Sequence, residues 1–149
     1  MLYFLDTSAL VKRYRAETGT EIVDGLFQEA VNTLVISALS IAETARAVDT
    51  HVRRGEISVG DARLAIARLY TECHRGTLAV LEVQRRYIFR ANELILQFHL
   101  TAADAIILAT ALTLAPETPL FVCADTRSGL LRVAEACGLS TLNPLSPSS

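Results

Sequence analysis

Leu2-Tyr3-Phe4-Leu5-Asp6-Thr7-Ser8 sets four consecutive apolar residues against an acid and two hydroxyls. A short apolar run without polar alternation reads as a strand covered on both faces, the pattern of a parallel sheet in an α/β protein. Thr7 or Ser8 is expected to cap a helix through about Tyr14. Asp6 is then left at the carboxyl end of a buried strand, where a carboxylate taken out of water is costly unless something pairs with it.

The pattern recurs outward along the chain. Thr33-Leu34-Val35-Ile36 reads as a second strand ending at Ser37, and Leu78-Ala79-Val80-Leu81 as a third. Residues 119–124 read as a fourth, running directly into Asp125, and 140–142 as a short last one. Helical periodicity fills the gaps at 18–31 and 84–98. Ser40 is expected to cap a helix through Arg54, with Glu43 in the N3 position of a capping box. Ser58-Val59-Gly60-Asp61 starts a partner helix to about His74, closed by Gly76, so residues 40–76 form a helical hairpin. Thr101-Ala102-Ala103-Asp104 reads as another box, opening an apolar helix to about Leu114. Asp125 or Thr126 is expected to cap a last helix that reaches Cys137 and ends at Gly138. Strands alternating with helices predict an α/β fold, a three-layer α/β/α sandwich with a short, mostly parallel central sheet. Residues 1–143 form one domain in this reading, and the Pro/Ser-rich 144–149 a frayed tail.

Composition bounds the function classes. The chain has 149 residues, 51% of them hydrophobic, with a mean hydropathy of +0.34. That supports one sizeable core and excludes disorder, and it suggests large buried or oligomer-facing surfaces. No apolar run reaches the ~18 uncharged residues of a membrane span. The start lacks the basic segment of a signal peptide, so a cytoplasmic location is expected. Cys73, Cys123 and Cys137 are odd in number and widely spaced, which argues against a disulfide framework or a zinc knuckle; they read as small hydrophobes. Net charge is −2, so no global basic field coats nucleic acid. Lys12 is the only Lys among the 14 basic residues. Arg donors suit phosphate, although genomic base composition produces the same bias.

Four acids occupy positions uncomfortable for charge: Asp6, Glu43 within Ile41-Ala42-Glu43-Thr44-Ala45, Asp104 before Ala105-Ile106-Ile107-Leu108-Ala109, and Asp125. Each has a bland explanation as a cap or a capping-box partner, favoured by the helix dipole. Together they differ. Strand ends and helix N-termini share one edge of a parallel sheet, and ligands of such sheets bind beyond the carboxyl ends of the strands. Three or four carboxylates make a hard oxygen donor set for Mg²⁺ or Mn²⁺ rather than zinc. His51, His74 and His99 lie outside these segments and take no role. Glu17, Glu21, Glu29, Glu72 and Glu117 read as solvated acids.

Leu5-Asp6-Thr7-Ser8-Ala9-Leu10-Val11-Lys12, then Glu43, then Leu100-Thr101-Ala102-Ala103-Asp104-Ala105, then Ala124-Asp125 with Gly138-Leu139, resembles the PIN-domain nucleases, most of all the VapC-type toxins of toxin–antitoxin pairs. The resemblance covers nearly the whole chain. It implies a Mg²⁺- or Mn²⁺-dependent endoribonuclease with Asp6, Glu43, Asp104 and Asp125 as catalytic and metal-binding residues. Thr7 or Ser8 would support the first acid, and Lys12 matches a basic position common after the D-T-S segment. One departure is Cys123, which stands where relatives often carry Thr or Ser. A cognate antitoxin and an RNA substrate are the implied partners, together with a homodimer whose 40–76 hairpin offers an apolar groove.

The expected chemistry is hydrolysis of a phosphodiester by water made acidic on the cation, with charge on the phosphoryl oxygens neutralised. Arg13, Arg46, Arg53, Arg54, Arg85, Arg86, Arg90 and Arg127 are candidates to meet RNA, with Arg46 and Arg127 preferred for their closeness to Glu43 and Asp125, and Lys12 is a further RNA-binding candidate from its match to the basic position. Phospho-relay receivers and aspartate phosphatases also place acids at strand ends, but they use a late Lys, and this chain has none after position 12. Two alternatives stand beside the toxin reading: an inactive PIN-like interaction module, and an RNA-processing nuclease without an antitoxin.

Overall fold

The computed structural model describes residues 1–114, 117–125 and 127–146. Five strands form one sheet: β1 (Leu2–Leu5), β2 (Thr33–Ser37), β3 (Ala79–Leu81), β4 (Leu120–Val122) and β5 (Thr141–Leu142), in the order β3-β2-β1-β4-β5. Every neighbouring pair is parallel. The seven helices among the described residues are α1 (Thr7–Tyr14), α2 (Thr20–Gln28), α3 (Ala38–Arg53), α4 (Val59–His74), α5 (Arg85–Phe98), α6 (Ala102–Leu112) and α7 (Leu130–Ala136).

The strand side chains explain the three layers. In β1, Phe4 points to one face and Leu5 to the other, as the two-residue period requires. Phe4, Val35 and Phe121 share one core with Tyr87, Leu94, Ile107, Leu108 and Leu130, placing α5, α6 and α7 on that face. Leu5, Leu34, Ile36 and Val122 share the other with Leu10, Val23 and Leu69, from α1, α2 and α4. The rings of Phe4 and Phe121 stack across the β1–β4 pair with centroids 6.1 Å apart. Full burial of one such side chain contributes about 1.5–3 kcal/mol. α6 is sealed almost all round, with Ala105, Ile107, Leu108, Ala109 and Ala111 wholly buried.

Several local expectations change. Asp6 itself caps α1, its carboxylate accepting from the Ser8 amide. Ser37, not Ser40, caps α3 through the Leu39 amide. Ser40 therefore lies inside the helix, and Glu43 belongs to no capping box. Ser58 and Asp61 do form the reciprocal box that opens α4. Asp125 caps no helix, because α7 starts later, at Leu130 with Gly129 as its N-cap; Thr126 lies outside the described residues. The tail starts packed rather than frayed. Pro144 is buried, and a Cβ on Gly19 would stand 2.9 Å from its carbonyl oxygen. Residues 147–149 lie outside the described residues.

Glu72 is the largest departure from the solvated-acid reading. It is 8% exposed and accepts from Arg13 Nη2 at 2.9 Å, Arg13 Nε at 3.2 Å and Tyr14 Oη at 2.6 Å. Arg13 also reaches Asp24 at 2.8 Å and stacks over Phe27. One carboxylate thus ties α4 to α1 and, through Arg13, to α2. Arg13 is thereby withdrawn from the residues expected to meet RNA. Lys12 is withdrawn too: it is 5% exposed, with Nζ donating to Glu17 Oε1 at 2.9 Å and to the Thr18 carbonyl at 2.8 Å.

No single helix among the described residues is long and apolar enough to cross a membrane.

Candidate active site

The strand order reverses between β1 and β4, since the chain builds outward from β1 to β2 and β3 before returning to the far side of β1. A crevice opens at such a switch point beyond the carboxyl ends of the strands. Asp6 follows β1 there, and Asp125 lies just beyond β4.

The D-T-S segment sends three side chains to three places. Asp6 is 3% exposed, and its Oδ2 accepts from Ser8 Oγ at 2.6 Å and the Ser8 amide at 3.2 Å. Ser8 Oγ accepts in turn from the Ala124 amide at 2.9 Å, which fastens the end of β4 to α1. Thr7 Oγ1 lies 3.0 Å from Glu43 Oε1 and 3.2 Å from Ser40 Oγ, joining α1 to α3. Thr7 and Ser8 therefore position different acids.

Asp104 sits in the first turn of α6, its amide donating to Thr101 Oγ1 at 3.3 Å. Asp125 accepts from the amides of Arg127 at 2.8 Å and Ser128 at 3.3 Å, an Asx turn that shapes the loop before α7.

The acids feel one another. Burial pushes the Asp6 carboxyl up to about 6; the charge of Asp104 adds to the rise, and the Ser8 hydrogen bonds oppose it. Burial also raises Asp104, and the charges of Asp125 and Glu43 add to this. Partial burial pushes Asp125 upward, but the Arg127 and Ser128 amides outweigh it and hold the group below the usual carboxylate range. Asp104 is thus electrostatically linked to the other three. Among the described residues, no three His, Cys, Asp or Glu side chains stand close enough to enclose an ion as they are.

A polar cleft of about 570 Å³ is lined by Thr7, Glu43, Arg46, Asp125 and Arg127, with Ala47 and Thr50. Arg46 projects from α3 one turn past Glu43, so both preferred arginines flank two of the acids. Lys12 does not line this cleft. A more apolar groove of about 400 Å³ lies elsewhere, between α3 and α4, lined by residues such as Val48, Val52, Ile66 and Tyr70.

Two further groups stand beside the acids. Cys123 is wholly buried, with Sγ 3.7 Å from both Asp6 Oδ2 and Ser8 Oγ. Burial and then the Asp6 charge push its thiol up to about 12, so it stays protonated beside the acid. Ser128 offers its hydroxyl toward Asp104 and its amide to Asp125. Only the tertiary structure brings these residues together.

The fold has solved counterparts. VapBC2 from Rickettsia felis, bound to a DNA fragment from their promoter, is 17% identical with a TM-score of 0.63, over 96% of this chain and 98% of that one. A toxin–antitoxin complex from Klebsiella pneumoniae is 16% identical with a TM-score of 0.58, over 95% and 97%. FitAcB from Neisseria gonorrhoeae is 18% identical with a TM-score of 0.60, over 97% and 98%. These likenesses establish the fold. No curated protein sequence matches the chain. The PIN domain model matches residues 3–136, nearly the whole folded chain, and with the acids gathered at its sheet edge the protein belongs to the PIN domain family of nucleases.

Proposed function

We propose that the protein is a Mg²⁺- or Mn²⁺-dependent endoribonuclease whose site is formed by Asp6, Glu43, Asp104 and Asp125. The observation that carries this reading is the electrostatic link of Asp104, at the start of α6, to Asp6 after β1, Glu43 on α3 and Asp125 beyond β4. Carboxylate oxygens are the donors a hard divalent cation takes. Like charges raised by one another are also what a cation would relieve. No three of these groups enclose an ion among the described residues, and Mg²⁺ keeps several waters while taking one or two carboxylates directly.

A divalent cation held by these carboxylates would supply Lewis acidity and lower the pKa of water for phosphodiester hydrolysis. The chain's own residues do the rest. Ser8 holds Asp6 Oδ2 in one orientation, and Thr7 fixes Glu43 Oε1 at the cleft wall. Arg46 and Arg127 line the same cleft and present guanidinium donors to the scissile phosphate.

The protein is also, in this reading, the toxin of a toxin–antitoxin pair acting in the cytoplasm as a homodimer. Support comes from the solved counterparts, which are toxin–antitoxin assemblies. The apolar α3–α4 groove, with Val59 56% and Tyr70 50% exposed, suits an apolar antitoxin segment.

The decisive experiment incubates a total RNA pool with Mg²⁺ or Mn²⁺ and wild-type protein, Asp6→Asn or Asp104→Asn. Cleavage by the wild type that chelation abolishes and both variants lack is expected; equal cleavage by all three overturns the site. Growth arrest on expression, relieved by the small reading frame immediately upstream, tests the toxin assignment. Sedimentation tests the dimer.

A further inference from the structure

The acidic cleft does not end at its own walls. Its lining residue Thr50 is shared with a cavity of about 380 Å³ whose other lining residues are Arg53 and Arg54. Asp125 and Arg127 of the cleft are in turn shared with a cavity of about 460 Å³ that reaches Arg132. Three adjoining cavities thus join, with Glu43 and Asp125 lining the shared cleft and arginines lining all three.

The pairing of those arginines is the second observation. Arg46, Arg53, Arg54, Arg127 and Arg132 are all exposed, and none forms an ion pair among the described residues. Arg13, Arg15, Arg68 and Arg90 are committed to acidic partners away from the path, and Arg63, Arg75, Arg85 and Arg86, also without ion pairs among the described residues, line none of the three cavities. Guanidinium groups left unpaired beside a groove retain their donors for phosphate. Arg46 and Arg53 lie two turns apart on α3, about 10 Å along its axis, so they meet different phosphates of an extended strand.

We propose that single-stranded RNA runs through the cleft along this track, held by Arg53 and Arg54 on one side of the cut and by Arg132 on the other. This rests on the nuclease reading above and extends it. Because the track continues past the acids in both directions, cleavage falls inside a strand rather than at its end. The sequence preference over those flanks is low, since phosphate contacts position the strand without reading bases.

The test measures fluorescence anisotropy of a labelled oligouridylate of about 20 nucleotides, spanning several contacts, on the Asp104→Asn chain in Mg²⁺ over a salt series. Each phosphate contact on a single strand contributes about 0.7 to the slope of log affinity against log salt. Adding Arg53→Ala with Arg54→Ala should flatten the slope by about 1.4, and adding Arg132→Ala by about 0.7. Arg90→Ala, which removes an exposed arginine outside the track, should leave it unchanged. A trinucleotide, too short to span the track, should bind all variants alike. Circular dichroism should show unchanged folding, since these side chains are exposed. RNA cleavage by the wild type combined with an unaltered slope in both track variants overturns the track alone. Absence of both cleavage and binding overturns the track and the nuclease reading together.

Discussion

Thr7 Oγ1 stands 3.0 Å from Glu43 Oε1, across the gap between the first turn of α1 and the second turn of α3. A hydroxyl next to the buried acid of β1 thereby sets the position of a second acid from a different element. Replacing Thr7 with Val keeps the shape and removes the donor. The loss of one such hydrogen bond should cost about 1 kcal/mol of stability. Cleavage should fall by about tenfold or more, because Glu43 is then free to leave the cleft wall. Rate measurements beside a thermal melt separate the two effects; a fall in stability with unchanged rate would show that Thr7 only braces the helices.

The raised Asp6 carboxyl makes stability depend on pH in a defined direction. Its value rises from 3.8 to about 6 on folding. The favourable contribution is fully present below the unfolded value and is lost as pH rises through about 6. Without divalent cation, the protein should therefore be roughly 1 kcal/mol less stable at pH 7.5 than at pH 5. Asp104 shifts in the same direction; Asp125 shifts oppositely, but its contribution fades only at more acid pH. Urea unfolding at the two pH values checks this. Asp6→Asn should flatten the difference, and added Mg²⁺ should raise stability most at the higher pH.

Cys123→Ser places a stronger donor beside Asp6 Oδ2 and Ser8 Oγ. Hydrogen bonding to the charged form favours it, so the Asp6 titration should move downward. Activity should persist, with overall stability changed by no more than about 1 kcal/mol. An unmoved inflection in the stability–pH curve would show that the thiol is only a filler.

Glu72→Ala removes the shared acceptor of Arg13, Tyr14 and Arg68. Breaking a buried pair by deleting one partner costs about 3 kcal/mol, or on the order of 10 °C in Tm for a chain of this size. The salt dependence of RNA binding should not change, because this cluster lies away from the cleft.

Gly19 combines φ of +92° with the close approach of Pro144. Gly19→Ala should cost about 2 kcal/mol or more, from the left-handed backbone together with the contact. Truncation after Asn143 removes the contact but not the backbone cost, so the two changes together should be less damaging than their sum. Denaturant melts of the single and double variants measure that coupling.

The sequence alone determined the order of elements and the parallel sheet, and pointed to the four candidate acids, because local burial and helix periodicity are written in residue type. Leu2–Leu5 had to be a covered strand, and Asp6 had to end it. The D-T-S segment and the apolar helix after Asp104 were legible for the same reason.

Roles that depend on partners distant in sequence were settled only by the tertiary structure. Glu43 read as a capping residue because Ser40 stands three positions earlier, yet Ser37 takes the cap and Glu43 answers to Thr7. Glu72 read as solvated because hydration is the default for charge, and Lys12 as a basic group open to RNA, whereas Arg13, Tyr14, Glu17 and the Thr18 carbonyl satisfy them out of water. Spacing along a helix cannot show which charge meets which, since a salt bridge or a shared cleft is fixed by how separate elements pack. For this protein, the chain chose its acids, and the packing of α1, α3 and α6 around the β1–β4 edge decided that they act on one another.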